Sequence, residues 1–444
     1  MSKIDFKDIE QFSEEFNSDR GNVIAANASV QKGILESAVD YKAARLLPDT
    51  FSINLEQGSI TNQKSSGRCW LFSALNTFRY ELIHNFNLAD AELSQNYLFF
   101  YDKLEKANYF LESCLKIVDE PVNGRLYSFL NSMPLNDGGQ WDMLVNVVNK
   151  YGVCPLEAYP ESANSVSSRG FTSYLTSLLR EDAVKLRNAK LAGESDEALQ
   201  DKKKAMMSEV YRILVIALGE PPKTFDWQVY DKDKKLIREF GITPKEFYDK
   251  YIGLDLNEYV SVINAPTSDK PFNQLYRVTF LGNVVEGREV VYLNLPIDVV
   301  KKAVIEQLKD GHPVWFGCDC GKFGDRKEGL WDKDTCGIEK FLNIHYEFSK
   351  ADKLTYGESA MNHAMVFLGV NLDENGNPDR WRIENSWGGD AGRKGYYTCS
   401  DAWLDEYLYQ VSVNKKYLPD YVNELLKGDI HDLQPWDPMG TLAD

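Results

Sequence analysis

The stretch Gln63-Lys-Ser-Ser-Gly-Arg-Cys69-Trp-Leu-Phe-Ser-Ala-Leu-Asn-Thr-Phe78 decides how this chain is read. Apolar residues at 71, 72, 75, 78 and 82 recur at helical spacing. Ser65, Ser66 and Gly67 make a loop into the helix start. The pattern therefore puts Cys69 at a helix N-terminus. Partial positive charge at such a position lowers a thiol pKa, and a neighbouring imidazolium lowers it further. Cys69 is thus a candidate nucleophile in search of a histidine.

The chain offers only His84, His312, His345, His363 and His431. His84 lies on the helix that Cys69 opens, too far along it to fold back. His363 opens a strand, His363-Ala-Met-Val-Phe-Leu-Gly-Val370, and a strand end holds an imidazole rigidly. An orienting partner is also required. Asn385 follows the strand Trp381-Arg-Ile-Glu384 and begins Asn-Ser-Trp-Gly. Its side-chain oxygen accepts an imidazole N–H without adding charge, and Trp387 is placed to cover that bond. Gln63 lies six residues before Cys69, so its amide can join the Cys69 backbone N–H as an oxyanion donor.

Each residue alone has a plainer reading. A lone cysteine is usually a small buried hydrophobe, and a lone histidine is usually packed or solvated. Asn385 fits a turn and Gln63 a solvated loop. The order Gln, Cys, His, Asn is what weighs against these readings. Cys318, Cys320, Cys336 and His345 lack the paired spacing of a structural zinc site and read as core residues beside a strand. No metal or organic cofactor is expected.

The segments Gln63 to Trp70, Asn362-His363-Ala364 and Asn385-Ser-Trp-Gly388 resemble the three signature segments of papain-like cysteine peptidases. The match has departures. Ser66 stands where the family usually has a cysteine, so one family disulfide is missing. The Cys69-to-His363 gap also exceeds the ~130–150 residues of secreted enzymes, so insertions are required. Further segments resemble the bleomycin hydrolases and bacterial aminopeptidases C: Asp137-Gly-Gly-Gln-Trp-Asp-Met-Leu144, Val314-Trp-Phe-Gly-Cys-Asp319 and Pro435-Trp-Asp-Pro-Met-Gly440. The resemblance implies an α+β fold: a two-lobed core, helical lobe and β-barrel-like lobe, with a helical hook inserted. It also implies a homohexameric barrel, no cofactor, and peptide substrates trimmed from a free N-terminus because the C-terminal arm lies in the cleft. Substrate contacts are expected from Gly138, Gly139, Asn362, Trp387, Ala443 and Asp444. A terminal carboxylate there would pair with a substrate's α-ammonium.

The rest of the chain fits this frame. It has 444 residues, enough for two or three domains or one enlarged by insertions. The expected division is an N-terminal extension (1–60), a helical lobe with the nucleophile (61–160), the hook (161–260), a β-rich lobe with His363 and Asn385 (261–425) and an arm (426–444). In the hook, Met206, Val210, Ile213, Leu214 and Ala217 form an apolar stripe that needs covering. The arm contains prolines and reads as extended. With 67 acidic against 50 basic residues the net charge is -17, which argues against nucleic acid as a partner. The first residues have no apolar run and no stretch approaches the ~20 residues of a membrane helix. Seven scattered cysteines read as reduced thiols. A cytoplasmic enzyme without a membrane partner is expected. Two rivals remain. An acyl transferase with the same triad logic usually has Asp in the third position, and a non-enzymatic ring has no use for an intact triad.

Overall fold

Residues 2–443 are described by a computed structural model. Two helices open the chain, α1 (Phe6–Ser18) and α2 (Arg20–Lys32), and neither buries a residue. Asp5 caps α1 by accepting the N–H groups of Lys7 and Asp8. Phe6, Ile9, Phe12 and Phe16 are left exposed.

The helical lobe is built on α3 (Cys69–Asn85), α4 (Gln95–Lys116) and α5 (Trp141–Tyr151). The sequence pattern gives α3 a single apolar face. In the fold every residue from Cys69 to Ile83 is buried. Two of its polar side chains bond across to the sheet: Ser73 donates to the Ala364 carbonyl at 2.7 Å, and Arg79 pairs with Glu384 at 2.7 Å. A helix surrounded on all sides cannot shift without breaking such bonds, so Cys69 is held rigidly.

Helices α6 (Arg169–Leu191) and α7 (Asp196–Leu218) pack on each other and on α4. Leu175, Leu179 and Leu186 line one face of α6, and Leu199, Val210, Leu214 and Leu218 line α7. The expected stripe is covered by its own chain. Val210 and Leu214 are buried, and Met206, Ile213 and Ala217 pack half-buried against the same core.

The second lobe is a twelve-stranded mixed sheet. Its main strands are β1 (Tyr259–Ile263), β2 (Gln274–Val278), β3 (Val291–Asn294), β4 (Val314–Cys318), β5 (His363–Leu372), β6 (Pro378–Glu384), β7 (Tyr396–Ser400), β8 (Leu408–Asn414) and β9 (Ile430–Leu433). They run in the order β9-β2-β3-β1-β8-β4-β5-β6-β7. The central strands β4 and β5 are buried runs such as Val314-Trp-Phe-Gly-Cys318, as expected of strands covered on both faces. One face meets α3 and the other meets α8 (Ile297–Lys309). Antiparallel pairing sets His363 opposite Cys318, and Val366 opposite Glu384. Asn385 therefore emerges beside the strand that His363 opens.

The arm departs from a purely extended tail. Strand β9 pairs in parallel with β2, and residues Pro438–Gly440 form a short 3-10 turn. Asp437 caps that turn by accepting the Met439 N–H, and Pro438 occupies its first position, where no N–H is needed. Proline starts this turn instead of excluding it. Among the described residues no helix is long and apolar enough to cross a membrane.

Candidate active site

Four side chains expected from the sequence meet where the lobes join. The His363 Nε2 lies 2.9 Å from the Asn385 Oδ1. That leaves Nδ1 as the ring nitrogen for proton exchange. The next residue, Ala364, directs its backbone N–H to the Cys69 Sγ at 3.4 Å, so the thiol lies against the first residues of β5. Trp387 stacks on His363 with centroids 4.9 Å apart and planes 26° from parallel. The stack shields the His363–Asn385 bond from water.

Burial pushes the His363 imidazole down to about 4; the positive charge of Arg326 adds to this and the Asn385 bond opposes it. The ring is neutral at pH 7, in contrast to the imidazolium expected beside Cys69. Cys318 and Cys399 are pushed well up by burial, and Cys114, Cys320 and Cys336 up to about 12. These five remain thiols at neutral pH. Among the described residues no group of His, Cys, Asp or Glu side chains could hold a metal ion.

Gln63 is fixed on three sides. Its backbone N–H donates to the Ser386 carbonyl at 2.9 Å. Its Nε2 donates to the Ser66 carbonyl at 2.7 Å, and its Oε1 accepts from the Ser386 hydroxyl at 2.6 Å. The oxygen end is thereby turned away and the nitrogen end turned towards the loop before Cys69.

Gly138 and Gly139 form a wall on which the arm lies. Gly139 and Ala443 make an antiparallel bridge, and the Gln140 Nε2 donates to the Thr441 carbonyl at 2.6 Å. A Cβ at Gly138 would come within 2.5 Å of the Ala443 carbonyl oxygen, and one at Gly139 within 2.5 Å of the Trp70 ring. Both positions require glycine for steric reasons. Ala443 is fully buried there, and Asp444 lies outside the described residues. Asn362 is exposed. Its amide is held by the Asp319 carboxylate at 2.6 Å and by the Cys320 N–H at 3.0 Å.

Sequence reasoning passed over a second set of residues. The Asp137 carboxylate pairs with the buried Lys103 at 2.6 Å and accepts the Gly67 N–H at 3.2 Å. The Asp137 carbonyl accepts from the Trp70 Nε1 at 2.8 Å. Lys106 donates to the Gly138 carbonyl at 2.6 Å. Asp137 therefore joins the loop before the nucleophile, the side chain after it and the glycine wall. The quoted segment beginning at Asp137 held the signal; the partner Lys103 did not stand out on a helix rich in charge.

Known proteins match this chain along its length. The Peptidase C1-like family profile covers residues 3–440. The chain belongs to that family. Within it, aminopeptidase C of Lactobacillus delbrueckii subsp. lactis is 44% identical over 447 residues, covering 100% of this chain and 99% of the relative. Human bleomycin hydrolase is 40% identical, with 97% of each chain covered. The crystal structure of PepW from Lactobacillus rhamnosis superposes with a TM-score of 0.98 at 44% identity, covering 100% of both chains. The chain is thus a member of the bleomycin hydrolase and aminopeptidase C group of papain-like cysteine peptidases, with the α+β fold expected of it.

Proposed function

We propose that this chain, a cysteine aminopeptidase by its family, removes residues from the free N-terminus of peptides through Cys69, His363, Asn385 and Gln63. The observation that carries the reading is the convergence of Cys69, at the start of α3, with the His363–Asn385 pair at the start of β5. Cys69 attacks the scissile carbonyl as its proton passes to His363. The oxyanion is held by the Gln63 amide and the Cys69 backbone N–H. The C–N bond breaks, and His363 gives its proton to the leaving amine. Water then attacks the thioester, passing its proton back through His363 and restoring the thiol. Broad specificity and a cytoplasmic location belong to this reading.

The arm sets the exopeptidase mode. It fills the cleft along Gly138 and Gly139 and leaves room only for the first residues of a substrate. In this reading an acidic group carried by the arm pairs with the substrate's α-ammonium, whose pKa of about 7.7–8.0 leaves it largely charged at neutral pH. A homohexameric barrel with inward-facing sites completes the proposal. Light scattering that finds a stable monomer refutes the barrel.

The decisive experiment incubates the protein, and its Cys69→Ser variant, with a short peptide and the N-acetylated twin, followed by mass spectrometry. Stepwise loss of residues from the free peptide alone is expected. Cleavage by Cys69→Ser, or equal cleavage of both peptides, overturns the reading.

A further inference from the structure

We propose that Arg326 recognises the free C-terminal carboxylate of short peptides, so that the site favours substrates with one or two residues beyond the cleaved bond. The inference rests on the catalytic reading above. His363 hands its proton to the leaving nitrogen, so the departing part of the substrate passes the imidazole. The ring stacked there is Trp387, and the Arg326 guanidinium carbon lies 4.5 Å from the Trp387 centroid. The guanidinium is therefore within roughly 10 Å of the imidazole, while an extended chain advances about 3.3–3.6 Å per residue. A carboxylate at the first or second residue after the leaving nitrogen comes within its reach; one much further along does not.

The side chain is prepared for this contact. Arg326 is exposed, and among the described residues its guanidinium forms no ion pair with a carboxylate. Its neighbour Asp325 is already engaged, accepting the backbone N–H groups of Lys327 and Glu328, each at 3.0 Å. The Arg326 backbone is pinned by its carbonyl, which accepts the Gly392 N–H at 3.1 Å. Stacking on an indole face occupies the plane of a guanidinium, and Arg326 also bonds the Tyr397 hydroxyl, which leaves its remaining edge N–H groups for a carboxylate.

The surroundings make this cation count. The chain carries a net charge of -17, which disfavours an approaching carboxylate. At this rim the Gly392 contact brings Arg393 and Lys394 beside Arg326 and Lys327, against Asp325, Glu328 and Asp390 in the same loops. The local balance is close to neutral. The same Arg326 charge helps hold the His363 imidazole down, which places it within electrostatic reach of the reacting groups.

The test compares kcat/KM for the tripeptide Leu-Gly-Gly and its C-terminal amide, using the full-length wild-type enzyme, Arg326→Gln and Arg326→Lys. Wild type should prefer the acid. Arg326→Gln should lower the acid-to-amide ratio by roughly three- to tenfold, chiefly through KM, as expected of one charge-assisted contact at a partly solvated site. Arg326→Lys should retain part of the preference, and rising ionic strength should shrink it in wild type. A ratio that is the same in wild type and Arg326→Gln overturns the inference. So does an equal loss on acid and amide, which would make Arg326 only a prop for Trp387. In both of those cases cleavage still occurs and the catalytic reading stands. Failure of wild type to cleave either peptide instead removes the catalytic reading, and this inference with it.

Discussion

The Ser386 hydroxyl donates to the Gln63 Oε1 at 2.6 Å, across the junction between the two lobes. An amide has two similar ends, and only the nitrogen end can stabilise an oxyanion. Ser386 occupies the oxygen end and so selects the productive orientation. Gln63→Ala should lower kcat by about 10²–10³ with little change in KM, the usual loss for one oxyanion donor. Ser386→Ala should cost less, on the order of tenfold in kcat, because the Gln63 backbone bond to the Ser386 carbonyl survives. Steady-state kinetics on one dipeptide substrate check both. A rise in KM alone for Gln63→Ala would make Gln63 a binding residue.

Cys69→Ser should leave the fold intact and remove nearly all turnover. Thermal unfolding should match wild type, since the substitution changes one atom in a buried, well-packed position. Residual turnover above about a hundredth of wild type would refute the assignment, because a lost nucleophile costs far more. Selective iodoacetamide labelling of Cys69 gives an independent check, since burial keeps Cys114, Cys320 and Cys336 protonated up to about 12.

His363 should make the fold sensitive to acid. An unfolded imidazole takes up a proton near pH 6.5, but the buried ring does so only at about 4. Between those values the unfolded state binds more protons, so stability falls as pH falls. The loss from this group should reach about 2 kcal/mol at pH 5. Replacing His363 with Gln should therefore flatten the fall of Tm between pH 7 and pH 5 relative to wild type. Identical slopes would show that the ring is not buried as a neutral group.

Asp137 links stability to catalysis. Burial alone would raise its pKa, but the Lys103 charge and its hydrogen bonds hold it down at about 2. Asp137→Ala strands the Lys103 ammonium in the interior and should cost about 3–5 kcal/mol, measured by urea unfolding. Adding Lys103→Met should restore much of that stability. Turnover should stay low in the double variant, because the Gly67 N–H remains without the Asp137 carboxylate. Recovery of both properties together would reduce the pair to a packing role.

The residues proposed to react stand out in the sequence because each lies at the end of a regular element. Cys69 starts a helix, His363 starts a strand and Asn385 follows one. Such ends follow from local periodicity. The residues that hold them were not legible. Lys103 and Asp137, or Arg79 and Glu384, are far apart in sequence and look like solvated charges until the fold buries them. Burial of α3 on all sides was hidden for the same reason. Asn76, Thr77 and Arg79 lie outside the apolar positions that the helical spacing picks out, and tertiary partners alone bury them. The turn at Pro438–Gly440 was missed because proline was read as a breaker, when it also starts short helical turns.

The arm offers the sharpest test of how the site chooses substrates. It is anchored well before its end: β9 pairs with β2, the buried Lys270 binds Asp437 at 2.9 Å, and Arg125 lies 4.0 Å from the Trp436 centroid. Its last described residues, Leu442 and Ala443, lie on Gly138 and Gly139. Removing residues 442–444 should therefore leave the anchor and the fold in place while opening the wall. The freed edge of Gly139 can then pair with a substrate backbone, as an extended peptide adds to an exposed strand edge. The truncated enzyme should lose at least about tenfold of its preference for free over acetylated N-termini, the scale of one charge-assisted contact in a confined site. It should also cleave N-blocked peptides internally. Mass spectrometry of the products separates the outcomes, since internal cuts give fragments that stepwise trimming never produces. If the truncated enzyme keeps its full preference and still ignores acetylated peptides, the arm is not the exopeptidase determinant, and a carboxylate fixed in the cleft itself must hold the ammonium.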